Sequence, residues 1–179
     1  CPYTVWPGIL SGGGSRPAST GYVLRSGAST VLNIPTPWTG RFWARTQCTN
    51  NGGRLVCATE DCASGQVGCN GAGAIPPVTL AEFTLGGDGG KDFYDISLVD
   101  GFNLPMSITP RGRLGCAVSS CPANVNSVCP SEFSIKNGRG TIAFKEGWCS
   151  NLRGLDSRLS KDLLSDLQKL HCKVIANQS

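Results

Sequence analysis

Cys57-Ala58-Thr59-Glu60-Asp61-Cys62-Ala63-Ser64-Gly65-Gln66-Val67-Gly68-Cys69 places three cysteines within a run of Gly, Ser, Thr and acidic residues. Such a run has too few apolar residues to pack itself, so something covalent must hold it. A zinc site needs C-x2-C pairs and usually histidines. Here the cysteines stand further apart than that, and the chain has one histidine, His171. Ten cysteines in 179 residues therefore read as a disulfide framework formed in an oxidising compartment, outside the cell or in a vacuole reached by the secretory route. The cysteine fraction is still below that of scaffolds held by bridges alone, so a hydrophobic core is expected as well. The length fits one domain, or one domain with an appendage.

Outward from this run the sequence alternates short β-rich segments with turn clusters. Tyr3–Trp6, Gly21–Arg25, Ser29–Ile34, Arg41–Thr46, Arg54–Ala58, Thr79–Leu85 and Phe93–Val99 are rich in β-branched and aromatic residues. Gly12-Gly13-Gly14, Pro35-Thr36-Pro37, Asn50-Asn51-Gly52-Gly53 and Gly86-Gly87-Asp88-Gly89-Gly90 separate them. With 24 glycines, tight connections outweigh long helices, and an antiparallel sandwich or barrel is expected.

After about residue 150 the period changes. Leu155, Leu159, Leu163, Leu167, Leu170 and Val174 recur every three or four residues with charged residues between them, predicting an amphipathic helix over 155–174. His171 and Cys172 read as part of that helix rather than as a nucleophile pair. Residues 1–135 hold eight Lys/Arg and eight Asp/Glu, and 136–179 hold eight and four, so the net charge of +4 lies wholly in the C-terminal part. That segment has only Phe144 and Trp148 as aromatics, which is not the dense basic and aromatic surface of a nucleic-acid binder. No apolar run is long enough to span a bilayer as a helix. The chain is expected to be a monomer without metal or other cofactor. A start at Cys1 rather than Met suits a removed signal peptide.

Longer strings carry a resemblance. Gly40-Arg41-Phe42-Trp43-Ala44-Arg45-Thr46-Gln47-Cys48, the 57–69 run, Pro76-Pro77-Val78-Thr79-Leu80-Ala81-Glu82-Phe83, and Asp92-Phe93-Tyr94-Asp95-Ile96-Ser97-Leu98-Val99-Asp100-Gly101-Phe102-Asn103-Leu104-Pro105-Met106 follow one another in the order found in the plant thaumatin-like, pathogenesis-related proteins. Cys1-Pro2-Tyr3-Thr4-Val5-Trp6 fits the start of that pattern. The resemblance covers about residues 1–135 and implies a disulfide-braced antiparallel β-sandwich of thaumatin type there. Residues 136–179 follow another course, with Phe144 where a cysteine is expected. Leu55 and Glu60 also depart from the family, Glu60 standing where Gly or Ala is usual, and neither is expected to upset a loop closed by Cys62–Cys69. Bridges Cys48–Cys57 and Cys62–Cys69 are implied.

What the resemblance implies for function is antifungal defence, binding of β-1,3-glucan or fungal cell-wall polysaccharide and, at most, a weak endo-β-1,3-glucanase activity. The alternative is a non-catalytic recognition module or an inhibitor of a microbial glycanase. The family's acidic cleft maps by motif onto Arg41, Glu82, Asp95 and Asp100. Glycoside hydrolysis needs one carboxyl kept protonated and another ionised. Glu82 lies within the apolar run Leu80–Phe83, where burial suits it to the acid role, while Asp100 precedes Gly101 at a turn and suits the base or nucleophile. Asp95 and Arg41 are then the substrate-binding pair. Asp95 and Asp100 are five apart, so a regular strand would send them to opposite faces, and they can share a cleft only if the chain bends near Val99–Asp100.

Overall fold

The computed structural model describes residues 1–112, 116–127 and 131–145. The 155–174 helix expectation lies outside these residues. The described part is mainly β and antiparallel in every pairing. One sheet has the order β1-β2-β5-β6, from β1 (Trp6–Gly14), β2 (Trp38–Arg45), β5 (Leu80–Leu85) and β6 (Phe93–Ser97). Three two-stranded ribbons accompany it: β3 (Thr49–Asn51) with β4 (Arg54–Val56), β7 (Met106–Ile108) with β8 (Ser119–Cys121), and β9 (Ser134–Asn137) with β10 (Gly140–Phe144).

Register decides what each face of the sheet carries. Ile9 lies opposite Phe42, Phe42 opposite Ala81, and Ala81 opposite Ile96. These rows form one face, and it is buried. Ala81 and Ile96 join Phe102, Cys121, Val125 and Phe144 in a single core, with Phe42 and Phe83 packed on it. Phe144 belongs to this core fully: its ring stacks on Phe102 at 5.5 Å, and the two residues exchange backbone hydrogen bonds of 3.2 and 2.9 Å. An aromatic at that position therefore acts by packing, where a cysteine would act by bridging.

The opposite face is divided. At one end Trp43 and Leu80 pack with Cys62, Cys69 and Val78, so the cysteine-rich loop lies over the sheet. Trp43 can lie flat there because its strand partner is Gly8, where any Cβ would collide with the indole. Disulfides Cys48–Cys57 and Cys62–Cys69 clamp the loop at both ends. Arg45, 1 % exposed, threads beneath it, donating to the carbonyls of Trp6, Pro7, Gln66 and Val67 and to Cys62 Sγ. Burial pulls the Arg45 guanidinium below its usual range, opposed by the Asp61 charge. Cys121 is disulfide-bonded too, while Cys1 and Cys116 are free.

Several segments differ from expectation. Gly21–Arg25 contributes only isolated bridges, Gly8 to Gly21 and Val5 to Leu24, and Ser29–Ile34 forms no strand, with Val31 87 % exposed. β-branched residues favour a strand only where a partner edge is available, and among the described residues none pairs with 29–34. Conversely, Gly12-Gly13-Gly14, expected to break the chain, continues β1 across a register shift between Ser11 and Gly13. The glycines supply a bulge here rather than a turn.

Candidate functional site

The uncovered end of the divided face holds the site. Leu10 pairs with Arg41, Arg41 with Glu82, and Glu82 with Asp95, so one row crosses β1, β2, β5 and β6. Directly opposed residues of adjacent antiparallel strands hold their Cβ atoms about 5 Å apart on the same face. Arg41, Glu82 and Asp95 thus converge through register alone. A cleft of about 280 Å³ opens over them, walled also by Leu10, Gly12, Thr84 and Phe93.

Asp100 joins by the bend that strand parity demands. β6 ends at Ser97, and Gly101 N–H donates to Leu98 O at 3.1 Å, closing a turn in which Gly101 has a φ of 102°. That φ suits glycine, and a Cβ would also crowd Pro77. Val78 N–H donates to Asp100 O at 2.9 Å, which fixes the turn against the start of β5. Asp100 is not in the wall of the cleft, yet its charge reaches Glu82.

The electrostatics follow from this packing. Burial is the main cause that raises the Glu82 carboxyl above its usual range; the charges of Asp95 and Asp100 add to it, while Arg41 and a hydrogen bond with the Ser97 side chain oppose it. Burial likewise raises Asp95. The cluster therefore retains protons under conditions in which isolated carboxyls have lost theirs. One acid donor, neighbouring carboxylates and a guanidinium at one opening can hydrogen-bond sugar hydroxyls or protonate a glycosidic oxygen.

Arg41, Asp95 and Asp100 each act on Glu82, and Cys48, Cys57, Cys62 and Cys69 pair as the resemblance implied. Sequence reading missed Ser97, which touches Glu82 and also accepts the Val99 N–H at 3.4 Å, linking the acid to the turn that holds Asp100. It also missed Thr84 and Phe93, each two residues from a carboxylate on its strand; the period of two could have found them. Trp38 and Trp43 are each 1 % exposed and belong to the interior, away from any sugar. Among the described residues no helix is long and apolar enough to cross a membrane, and no three potential ligands gather around a metal position.

Glu60 leaves the loop closed by Cys62–Cys69 intact, as expected, but it is not a solvated loop residue. It is 3 % exposed, with φ 59°, and its carboxyl points inward. A loop position that glycine fills without cost here carries a buried acid.

The chain is similar in sequence to known plant proteins. The chain is 61 % identical over 146 residues to a glucan endo-1,3-beta-glucosidase of Prunus avium, covering 79 % of this chain and 59 % of that protein. It is 56 % identical over 145 residues to thaumatin-like protein 1 of Pyrus pyrifolia, covering 79 % of this chain and 59 % of the relative. Pathogenesis-related protein 5 of Arabidopsis thaliana is 48 % identical over 147 residues, covering 81 % of this chain and 60 % of the relative. The chain thus spans about three fifths of the length of these relatives. The model of the thaumatin family matches residues 1–154, further than residue 135, where the resemblance read from the sequence stops, and through the β9–β10 hairpin that packs on the core. With matched residues that include every strand, both clamps and the whole Arg41–Glu82–Asp95 row, the chain belongs to the thaumatin family.

Proposed function

We propose that this chain is a secreted plant defence protein whose acidic cleft binds β-1,3-glucan of fungal walls, with at most slow endo-hydrolysis. The observation that carries this reading is the Arg41–Glu82–Asp95 row beneath an open cleft, with Asp100 acting on Glu82. A glucan strand laid across the row crosses four strands, roughly 14 Å, and presents hydroxyls to charged groups on three of them, β2, β5 and β6. Phe93 offers an apolar surface beside Asp95 for a sugar face. A relative of similar sequence bears a glucan endo-1,3-beta-glucosidase name, which supports the same class of substrate.

Glu82 is the general acid in this reading, and Asp100 the base or nucleophile. Asp95 and Arg41 hold the substrate. The cleft is open and walled by one sheet, so it excludes water poorly and weakens each electrostatic contact within it. Binding therefore exceeds turnover. Laminarin binding and release of reducing sugar, measured for the parent, Glu82→Gln and Asp100→Asn at equal concentrations, test the reading. Binding lost on substitution at the row, with very slow parent turnover, is expected. Laminarin binding that is absent in the parent, or unchanged by both substitutions, would overturn the assignment.

A further inference from the structure

Glu60 takes no part in the cleft. It sits under the covered half of the sheet, in the segment 58–61 between the two disulfides. Its backbone is anchored: Trp43 Nε1 donates to Glu60 O at 3.2 Å. Its Oε1 accepts the Thr79 N–H at 3.0 Å, joining the loop to the start of β5. Its Oε2 is buried and has no hydrogen-bond partner among the described residues, and the buried Asn103 Oδ1 has none there either.

Among the described residues the surroundings offer no countercharge. The groups acting on the carboxyl are Thr79 N–H, the Asn103 side chain and Ala44 N–H. Arg45 is committed to carbonyls and Cys62 Sγ, and Asp61 accepts from the N–H groups of Cys57 and Ala63 at 2.7 and 2.8 Å. Asn103 Nδ2 donates to Ala44 O and Thr59 Oγ1 at 3.0 and 3.2 Å. An ionised carboxylate here would keep a charge in an apolar setting with one oxygen unbonded. A proton on Oε2 removes the charge and turns that unpartnered oxygen into a donor.

We propose that Glu60 is a neutral carboxylic acid in the folded protein and works as a pH-sensitive latch, holding the disulfide-clamped loop to β5 and Asn103 while protonated and releasing it on ionisation. Burial, the largest influence on this group, acts in that direction and outweighs the donors of Thr79, Asn103 and Ala44, which favour the ionised form. Its folded affinity for the proton exceeds that of the unfolded chain. Stability from the latch is therefore complete below the unfolded value of about 4.3 and is lost as pH rises toward the folded value. Within that window the folding equilibrium falls about tenfold per pH unit. Glu82 and Asp95 titrate in the same sense, so they must be removed from the comparison.

The test uses the oxidised chain carrying Glu82→Gln and Asp95→Asn, with and without Glu60→Gln, followed by denaturant unfolding from about pH 4 to about pH 8. The chain with Glu60 should lose its folding equilibrium steeply as pH rises, and the Glu60→Gln chain should be nearly flat. Equal slopes would overturn the proposal. Should Glu60→Gln fail to fold, Glu60→Gly, which suits the positive φ, takes its place. Infrared spectra of the Glu60 chain labelled with ¹³C-Glu give a readout that needs no variant. A protonated carboxyl band persisting at about pH 7 is expected, and its absence would refute the latch.

Discussion

Arg41 and Arg45 lie four residues apart on β2 and project to the same side of one sheet, yet they do opposite things. Over Arg45 lies the cysteine-clamped loop; over Arg41 lies solvent. Arg45 spends its donors on carbonyls of β1 and the loop and is unavailable to a ligand. Arg41 faces Glu82 across the strand pair and lines the cleft. The two glutamates divide in the same way. Glu82, half-buried among charges, stays within reach of a substrate, whereas Glu60 is enclosed among neutral donors. Side-chain chemistry is shared by the two halves, and the cover decides between scaffold and site.

The comparison is broken most directly by exchanging the roles. Arg45→Met should orphan several buried carbonyls and cost about 3 kcal/mol or more, read by guanidinium unfolding under oxidising conditions. Arg41→Met should change stability by only about 0.5 kcal/mol while weakening laminarin binding about tenfold. Comparable stability losses for the two would show that the halves do not differ as described. Next in size, Cys62→Ser with Cys69→Ser should cost roughly 2–3 kcal/mol by freeing the cover, and would increase amide exchange at Trp43 and Leu80 before it affected Ile96.

Smaller effects sharpen the picture of the open half. Glu82 and Asp95 are both raised in the folded chain, so each contributes stability that is full below the unfolded carboxyl range and is lost as pH rises through its folded value. Glu82→Gln should therefore leave stability near neutrality unchanged or slightly higher, and should flatten part of its decline with pH, measured by Tm against pH. Smallest is Ser97→Ala. Removing the hydrogen bond that favours the ionised acid should move the Glu82 titration further up in ¹³C-carboxyl NMR, and Ser97→Thr should restore it. A downward movement would show that Ser97 does not act on Glu82.

Much of the covered half was legible as residues in a row. The β-rich segments that hold Trp43 and Leu80 stand out because their composition is a local property, and the family strings implied the two clamps. The cleft was legible in part. Arg41, Glu82, Asp95 and Asp100 could be picked out through the family strings, and the parity of Asp95 and Asp100 demanded the bend that the turn Leu98–Gly101 supplies. Arg45 and Glu60 were not legible as special. An arginine and a glutamate in polar surroundings read as solvated, and nothing adjacent in sequence shows that a loop folds back over them.

By itself, then, the sequence determined a disulfide-braced β-protein through composition and short-range spacing, and the strings that carry the family resemblance implied the two clamps and the carboxylates of the cleft. Register across β1, β2, β5 and β6 was decided only in the tertiary structure, and with it the alignment of Arg41, Glu82 and Asp95. So was the failure of Ser29–Ile34 to become a strand, because a strand needs a partner edge as well as a propensity. The fate of Glu60 was decided there too. The charge of a carboxyl depends on how much water and how many donors surround it, and those are supplied by residues far away in the chain.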